Sequence, residues 1–274
     1  MTDSDDEPIT LSADALAALQ QFYAERDSHV EAFEKLKAVA TQDNEVVDGN
    51  GLVDGDGDGV ATVANGGKAT VSLSMNAFAE DWNESQFWYS DETATLLAKQ
   101  LLENADADTV IAVVSTPSVF IALKNLLSAG HNSPKPKVFL LEHDQRFAVF
   151  SEFVFYDFMK PIKLPGLKFT AHLKGSVDRM IVDPPFLSED CQTKMAMTLR
   201  WMARNPRVAS SPAAGMGPGG ALRVLICTGE RMEPLVTKLY RPLGVRTTTY
   251  EPVHKGLKNE FYCYANFECE AWEW

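Results

Sequence analysis

The sequence predicts an α/β fold: a seven-stranded, mostly parallel sheet with helices on both faces, plus an N-terminal helix. Three observations carry this expectation. Seven short apolar or β-branched runs recur at 110–114, 138–141, 153–156, 180–182, 222–227, 247–250 and 261–264. Helix-like or loop segments separate them, the rhythm of parallel strands joined by crossovers, and the last two runs are able to pair as a hairpin. The chain has 274 residues, 45% of them hydrophobic and 10% aromatic, which suffices for one large core with extensions.

Ser12 is placed to cap a helix in which Leu16, Leu19, Tyr23, Val30, Phe33 and Leu36 recur at spacings near three and four. Residues 1–42 thus read as an acidic N-terminal segment holding one amphipathic helix that ends near residue 41. Gly and Asp crowd residues 43–70, the composition of a flexible linker. Within it Asp54, Asp56, Asp58 and Gly59 match the first half of a calcium loop, but Asn65 stands where the bidentate Glu belongs. A plain linker is the expectation there. Residues 71–274 form the main domain. Its first helix is capped by Ser90, carries Asp91 and Glu92 in its first turn, and turns Leu96, Leu97, Leu101 and Leu102 inward. Residues 205–220 are too rich in Pro and Gly for an element and read as a loop insertion.

The net charge of −13 is unevenly placed: residues 1–60 carry 15 acids and 3 bases, the rest 23 and 22. A nearly neutral body argues against gripping a nucleic-acid backbone, and an acidic leader suits encounter with a basic protein partner. No apolar run approaches the ~18 to 20 residues of a membrane span, and the acidic start is unlike a secretory signal. A cytoplasmic protein without a membrane partner is expected. Cys191, Cys227, Cys263 and Cys269 form no C-x-x-C pair, and His29, His131, His143, His172 and His254 are scattered, so reduced thiols and no metal site are expected.

The candidate chemistry lies at the strand ends. In D-R-M-I-V-D-P-P-F-L, residues 178–187, the apolar run must stop at Asp183 because Pro184 and Pro185 have no N–H to donate. A carboxylate, two stiff residues with free carbonyls and the ring of Phe186 then sit where open α/β sheets bind ligands, an arrangement suited to an amine. Ser115, Thr116, Pro117 and Ser118 follow the first run and lead into a helix, Glu142 follows the second, and Asp157 the third. In a doubly wound sheet these ends share one rim, so a helix N-terminus and three carboxylates converge on a crevice.

D-P-P-F resembles the [DNS]-P-P-[YFW] signature of class I S-adenosylmethionine-dependent methyltransferases that modify amino nitrogens. More specifically, D-E-P-I-T-L-S-A-D-A-L-A-A-L-Q-Q-F-Y-A-E, S-Q-F-W-Y-S-D-E-T-A, V-S-T-P-S-V, L-L-E-H-D-Q-R-F, E-F-V-F-Y-D-F, V-D-P-P-F-L-S-E-D-C, L-I-C-T-G and N-E-F-Y-C-Y resemble, in order, the elongation factor 1A lysine methyltransferase family. That family was first described as adenine-N6 DNA methyltransferases because of the same signature. The resemblance implies a Rossmann-like methyltransferase sheet, S-adenosylmethionine as methyl donor and a lysine of translation elongation factor 1A as acceptor; a monomer is expected. By position it implies that Glu142 accepts from the ribose hydroxyls and that Asp157 lies near the adenine amino group. Ser115, Thr116, Pro117 and Ser118 would wrap the methionine part, and Trp88, Tyr89 and Ser90 would either cover it or serve as core and cap. Where most class I enzymes have a G-x-G turn, this chain has Ser-Thr-Pro-Ser.

Methyl transfer needs a neutral nitrogen whose lone pair is aligned within ~3 to 3.5 Å of the methyl carbon. Asp183 and the Pro184 carbonyl can accept the two N–H bonds of such an amine, and Phe186 can pack on the lysine stem or meet its developing charge. Lysine, with a pKa of ~10.4, must first lose a proton, which costs roughly 4 to 5 kcal/mol at pH 7. An ordinary carboxylate is too weak a base for that, so Asp183 is expected to orient the amine while water takes the proton. Two other functions fit the same residues: an adenine-N6 nucleic-acid methyltransferase, whose flipped base would stack on Phe186, and a catalytically silent binding module.

Overall fold

The computed structural model describes residues 12–48, 72–80, 86–164, 172–204, 222–256 and 260–274. The half calcium loop at Asp54 to Asn65 and the insertion at 205–220 lie outside these residues, as does most of the linker. Helix α1 spans Ala13–Asp48 and begins as expected, with the Ala15 N–H donating to Ser12 Oγ at 3.2 Å. It runs past residue 41 because nothing before Gly49 breaks it: Thr41 to Asp48 contain neither Gly nor Pro.

Seven strands form one sheet: β1 Val110–Val114, β2 Lys137–Glu142, β3 Phe153–Phe155, β4 Arg179–Val182, β5 Arg223–Gly229, β6 Arg246–Thr247 and β7 Phe261–Ala265, in the order β3-β2-β1-β4-β5-β7-β6. β3, β2, β1, β4 and β5 are parallel, and β7 pairs antiparallel with both β5 and β6. Residues Val110 to Val114 are all buried, as a strand covered on both faces requires. Ile111 and Val113 face α2 (Asp91–Leu102), α3 (Pro117–Ser128) and the end of α1. Val110, Ala112 and Val114 face α4 (Glu189–Met202) and α5 (Glu233–Tyr240). The result is a three-layer sandwich. Ser90 caps α2, its Oγ accepting from the Thr93 N–H at 3.2 Å.

Two expectations are corrected. The stripe on α1 is covered only toward its C-terminal end, where Leu36 and Ala40 enter the core and Phe33 packs against it. Leu16, Leu19, Tyr23 and Val30 are exposed among the described residues. A helix of 36 residues is about 54 Å long and outreaches the body it leans on. The sixth strand is shorter than 247–250. Thr248 turns its hydroxyl onto the Cys263 carbonyl at 2.8 Å and accepts from the Tyr250 N–H at 3.3 Å, a local alternative to the ladder. The four cysteines are free thiols, and no helix among the described residues is long and apolar enough to cross a membrane.

Candidate active site

From β1 the chain order runs one way to β2 and β3 and the other way to β4 and β5, so the sheet's switch point lies between β1 and β4. A cavity of about 830 Å³ opens at the carboxyl ends of these strands, in the size range of small-molecule sites. Of the expected site residues, Trp88, Tyr89, Ser115, Thr116, Pro117, Ser118, Glu142, Asp157, Asp183, Pro184, Pro185 and Phe186 line it. Ser90 does not. Its hydroxyl is engaged in the α2 cap and its N–H in a 2.8 Å bond to the Val253 carbonyl, so it is a cap and not a cavity residue.

The β1–α3 turn solves without glycine a problem that glycine usually solves. Ser115 adopts φ 53°, in the left-handed region, and Pro117 occupies the first turn of α3, where a missing N–H does no harm. Thr116 is the N-cap of α3 but makes no side-chain cap bond, and its buried Oγ1 has no partner among the described residues. A buried hydroxyl left this way in a cavity wall calls for a partner that the protein does not itself supply.

Glu142 ends β2 with one oxygen committed and one not. Its Oε1 accepts from the His143 and Asp144 N–H groups at 2.8 and 3.1 Å, and Oε2 accepts no bond from the described residues. Burial pushes its carboxyl up to about 7, against the pull of those two N–H groups. A ligand with paired hydroxyls would satisfy the free oxygen. Beside it, Asp144 and Gln86 grip Arg146, whose guanidinium also donates to the Ala79 carbonyl at 3.0 Å, tying Ala79 and Gln86 to the loop after β2. Asp157 stands half-buried across the cavity, its Oδ1 accepting from the Met159 N–H at 2.9 Å.

Asp183 is the centre of the other half. Its N–H still reaches the Val114 carbonyl at 3.2 Å, and then the two prolines end the pairing. The Pro184 carbonyl accepts no hydrogen bond among the described residues, while the Phe186 ring stands 39% exposed with its centroid 5.6 Å from that of Phe158. Burial pushes the Asp183 carboxyl up to about 7; the Tyr89 hydroxyl, donating to Oδ2 at 2.6 Å, pulls it back, and the Glu142 charge adds to the rise.

Three participants escaped the sequence reading. His254, with its side chain 2% exposed, lines the cavity with Nε2 4.0 Å from Asp183 Oδ2. Burial lowers its imidazole to about 4, so at neutral pH the ring is uncharged and this is no ion pair. Phe261 packs on His254 at 4.4 Å, and Phe158 on Phe186. Nothing in the order of residues near Glu251 to Lys255 marks His254, because its neighbour Asp183 is 71 positions away. Phe261 was visible in N-E-F-Y-C-Y, but only as a strand residue.

The arrangement presents one cavity with a helix N-terminus, an unpartnered hydroxyl and an acid toward β1 and β2, and a buried carboxylate with an aromatic wall toward β4. It can hold an extended polar ligand beside an amine. The family described as "Probable N6-adenine methyltransferase" matches residues 80–269. The yeast Saccharomyces cerevisiae protein named "Protein-lysine N-methyltransferase EFM5" is 41% identical over 268 residues, 96% of this chain and 94% of that protein. The chain belongs to this methyltransferase family. Human "EEF1A lysine methyltransferase 1" is 34% identical over 266 residues, covering 96% of this chain and 94% of its own, and the chicken protein of the same name is 33% identical over 97% of this chain and 98% of its own. The alignments thus extend across the acidic leader as well as the sheet. In this chain the D-P-P-F segment carries Asp183 into the cavity.

Proposed function

We propose that this methyltransferase transfers a methyl group from S-adenosylmethionine to a lysine of translation elongation factor 1A, acting in the cytoplasm. The observation that carries the reading is the partly buried Asp183 carboxylate beside a free Pro184 carbonyl at the switch point, two acceptors at the end of one strand. The names of the relatives support the acceptor. The cavity's donor set fits the donor molecule. Glu142 Oε2 would take the ribose hydroxyls, the turn of Ser115 to Ser118 with the unpartnered Thr116 Oγ1 would take the methionine end, and Asp157 and Trp88 would border the remainder.

When bound, S-adenosylmethionine supplies an electrophilic methyl on its sulfonium. The chain's own residues prepare the acceptor. Asp183 and the Pro184 carbonyl accept the N–H bonds of a neutral ε-amine, which turns its lone pair away from both. Phe186, exposed at the rim, packs on the lysine stem and meets the positive charge that builds on nitrogen, worth ~0.5 to 2 kcal/mol. Moving a proton from lysine to a carboxylate of ordinary strength costs roughly 9 kcal/mol. With Asp183 pushed up to about 7 the gap narrows to roughly 5 kcal/mol. Orientation is the role we assign to Asp183, with water as the proton acceptor. A kcat that still rises with pH in Asp183→Asn supports that assignment, and loss of the rise makes Asp183 the base.

Transfer of labelled methyl groups tests the whole reading, with elongation factor 1A and single- and double-stranded DNA offered in parallel and Asp183→Ala as control. Label on the protein that vanishes in the variant is expected. The matching family's description favours one other reading, adenine-N6 methylation, in which the adenine amino group replaces the lysine at Asp183 and the base stacks on Phe186. Label on DNA alone would establish it. Label on neither acceptor, with no thermal response to S-adenosylmethionine, would leave a binding module.

A further inference from the structure

Tyr89 lies where a cofactor cover was expected, yet its polar atom is turned to Asp183. The hydroxyl donates to Asp183 Oδ2 at 2.6 Å, a short charge-assisted contact, while Asp183 Oδ1 accepts nothing from the described residues. The tyrosine has little freedom to do otherwise. It is 2% exposed, its N–H donates to Ser118 Oγ at 3.2 Å, and its ring lies 4.5 Å from that of His254, which is itself backed by Phe261. Its backbone pairs antiparallel with His254, and bonds from Ser90 to Val253 and from Lys255 to Trp88 clamp the two segments on either side.

We propose that Tyr89 is a positioning residue for methyl transfer: its hydroxyl holds Asp183 Oδ2, and the ring stack on His254 holds the hydroxyl, so that only Oδ1 is presented to the acceptor nitrogen. The proposal rests on the reading of Asp183 as the amine-gripping group. A free carboxylate can exchange its two oxygens by a half-turn and offers about four lone-pair positions. With Oδ2 tied and the half-turn blocked, one oxygen and about two lone-pair positions are left, a restriction that favours lone-pair alignment. The titratable groups that face Asp183 are Tyr89 from the segment before α2, Glu142 from β2, Cys191 from α4, Cys227 from β5 and His254 from the segment before β7. Among these Tyr89 is the group whose hydrogen bond favours the ionised form of Asp183.

The test uses Tyr89→Phe in the full chain, with melting temperature as a check on folding. The Asp183 carboxyl is followed by carbon-13 NMR titration, assigned with Asp183→Asn. Loss of the hydroxyl is expected to move the Asp183 midpoint upward, lower kcat roughly 10- to 100-fold, and leave S-adenosylmethionine affinity by calorimetry within about twofold. Tyr89→3-fluorotyrosine, which keeps the shape and makes the hydroxyl a better donor, is expected to move the midpoint down. An unmoved midpoint in both variants overturns the proposal, and so does a loss of S-adenosylmethionine affinity that accounts for the whole rate loss, since that is a cover's behaviour. A moved midpoint in a protein that methylates DNA but not elongation factor 1A supports the positioning and retires the substrate.

Discussion

Replacing Asp183 with Asn should make the protein more stable and less active, and the gain in stability should depend on pH in a defined way. The side chain is 17% exposed, and burial pushes its carboxyl up to about 7. In the unfolded chain the same group ionises near ~3.9, so above pH 7 the fold carries an ionised carboxylate disfavoured by on the order of 4 kcal/mol. Because the folded value is the higher one, the unfolded state releases its proton first, and wild-type stability falls as pH rises through the window from about 4 to about 7. Asn removes that term while its carbonyl still accepts from the Tyr89 hydroxyl. Denaturant unfolding of both proteins at pH 4, 6 and 8 measures the effect. The variant should match wild type near pH 4, gain through pH 6, and at pH 8 be more stable by ~2 to 4 kcal/mol, a melting shift of several degrees. A difference that does not change with pH, or a variant less stable at pH 8, would refute the account of Asp183 as a partly buried carboxylate disfavoured by desolvation.

Glu142→Gln keeps an acceptor for the His143 and Asp144 N–H groups but loses the charge, so S-adenosylmethionine should bind ~10- to 150-fold more weakly by calorimetry. For wild type the same affinity should weaken as pH falls through about 7, as Glu142 takes up a proton. Ser115→Gly relieves a side chain held at φ 53° and should raise stability by ~1 kcal/mol, read as a melting temperature a few degrees higher. Phe186→Ala should lower kcat/KM for the protein acceptor ~2- to 30-fold, because the exposed ring contributes by contact with the lysine stem and with the charge that builds on its nitrogen. Removing residues 1–28 takes away 7 of the 15 acids of residues 1–60 and leaves Phe33, Leu36 and Ala40 packed, so the fold should persist while kcat/KM falls and its salt dependence weakens; unchanged values would count against the idea that the acidic leader steers a basic acceptor.

Much of this was legible in the order of residues, for local reasons. Val110 to Val114 could only be a strand buried on both faces, and the run at Met180 to Val182 had to end where Pro184 and Pro185 stop donating. Ser12 and Ser90 capped the helices assigned to them, because the hydroxyl and the N–H it accepts from are three residues apart. Where the reading failed, the missing information was not local. The stripe on α1 has the right period over its whole length, but period does not say how far the body reaches to cover it, and Leu16, Leu19, Tyr23 and Val30 are left exposed among the described residues. Ser90 was read both as a helix cap and as a possible cofactor cover, and only the structure, which gives its bonds to Thr93 and Val253, separates the two.

By itself the sequence determined six of the strands and, at Thr247, part of the shorter β6, that the carboxyl ends of β1, β2, β3 and β4 carry Ser115 to Ser118, Glu142, Asp157 and Asp183, and that D-P-P-F ends a strand abruptly. These are properties of periodicity, of proline's missing N–H and of one-turn spacings, all readable within a few residues. Only the tertiary structure decided that Tyr89, 94 positions before Asp183, donates to it, that His254 and Phe261 wall the same cavity, and that Thr116 Oγ1 is buried without a partner. The reason is that burial and hydrogen bonding across the sheet depend on which elements the topology brings to the switch point between β1 and β4, and no local pattern encodes that meeting. The same burial raises Asp183 and Glu142 toward neutrality and lowers His254, so the electrostatics of the site belong to the fold rather than to the residues.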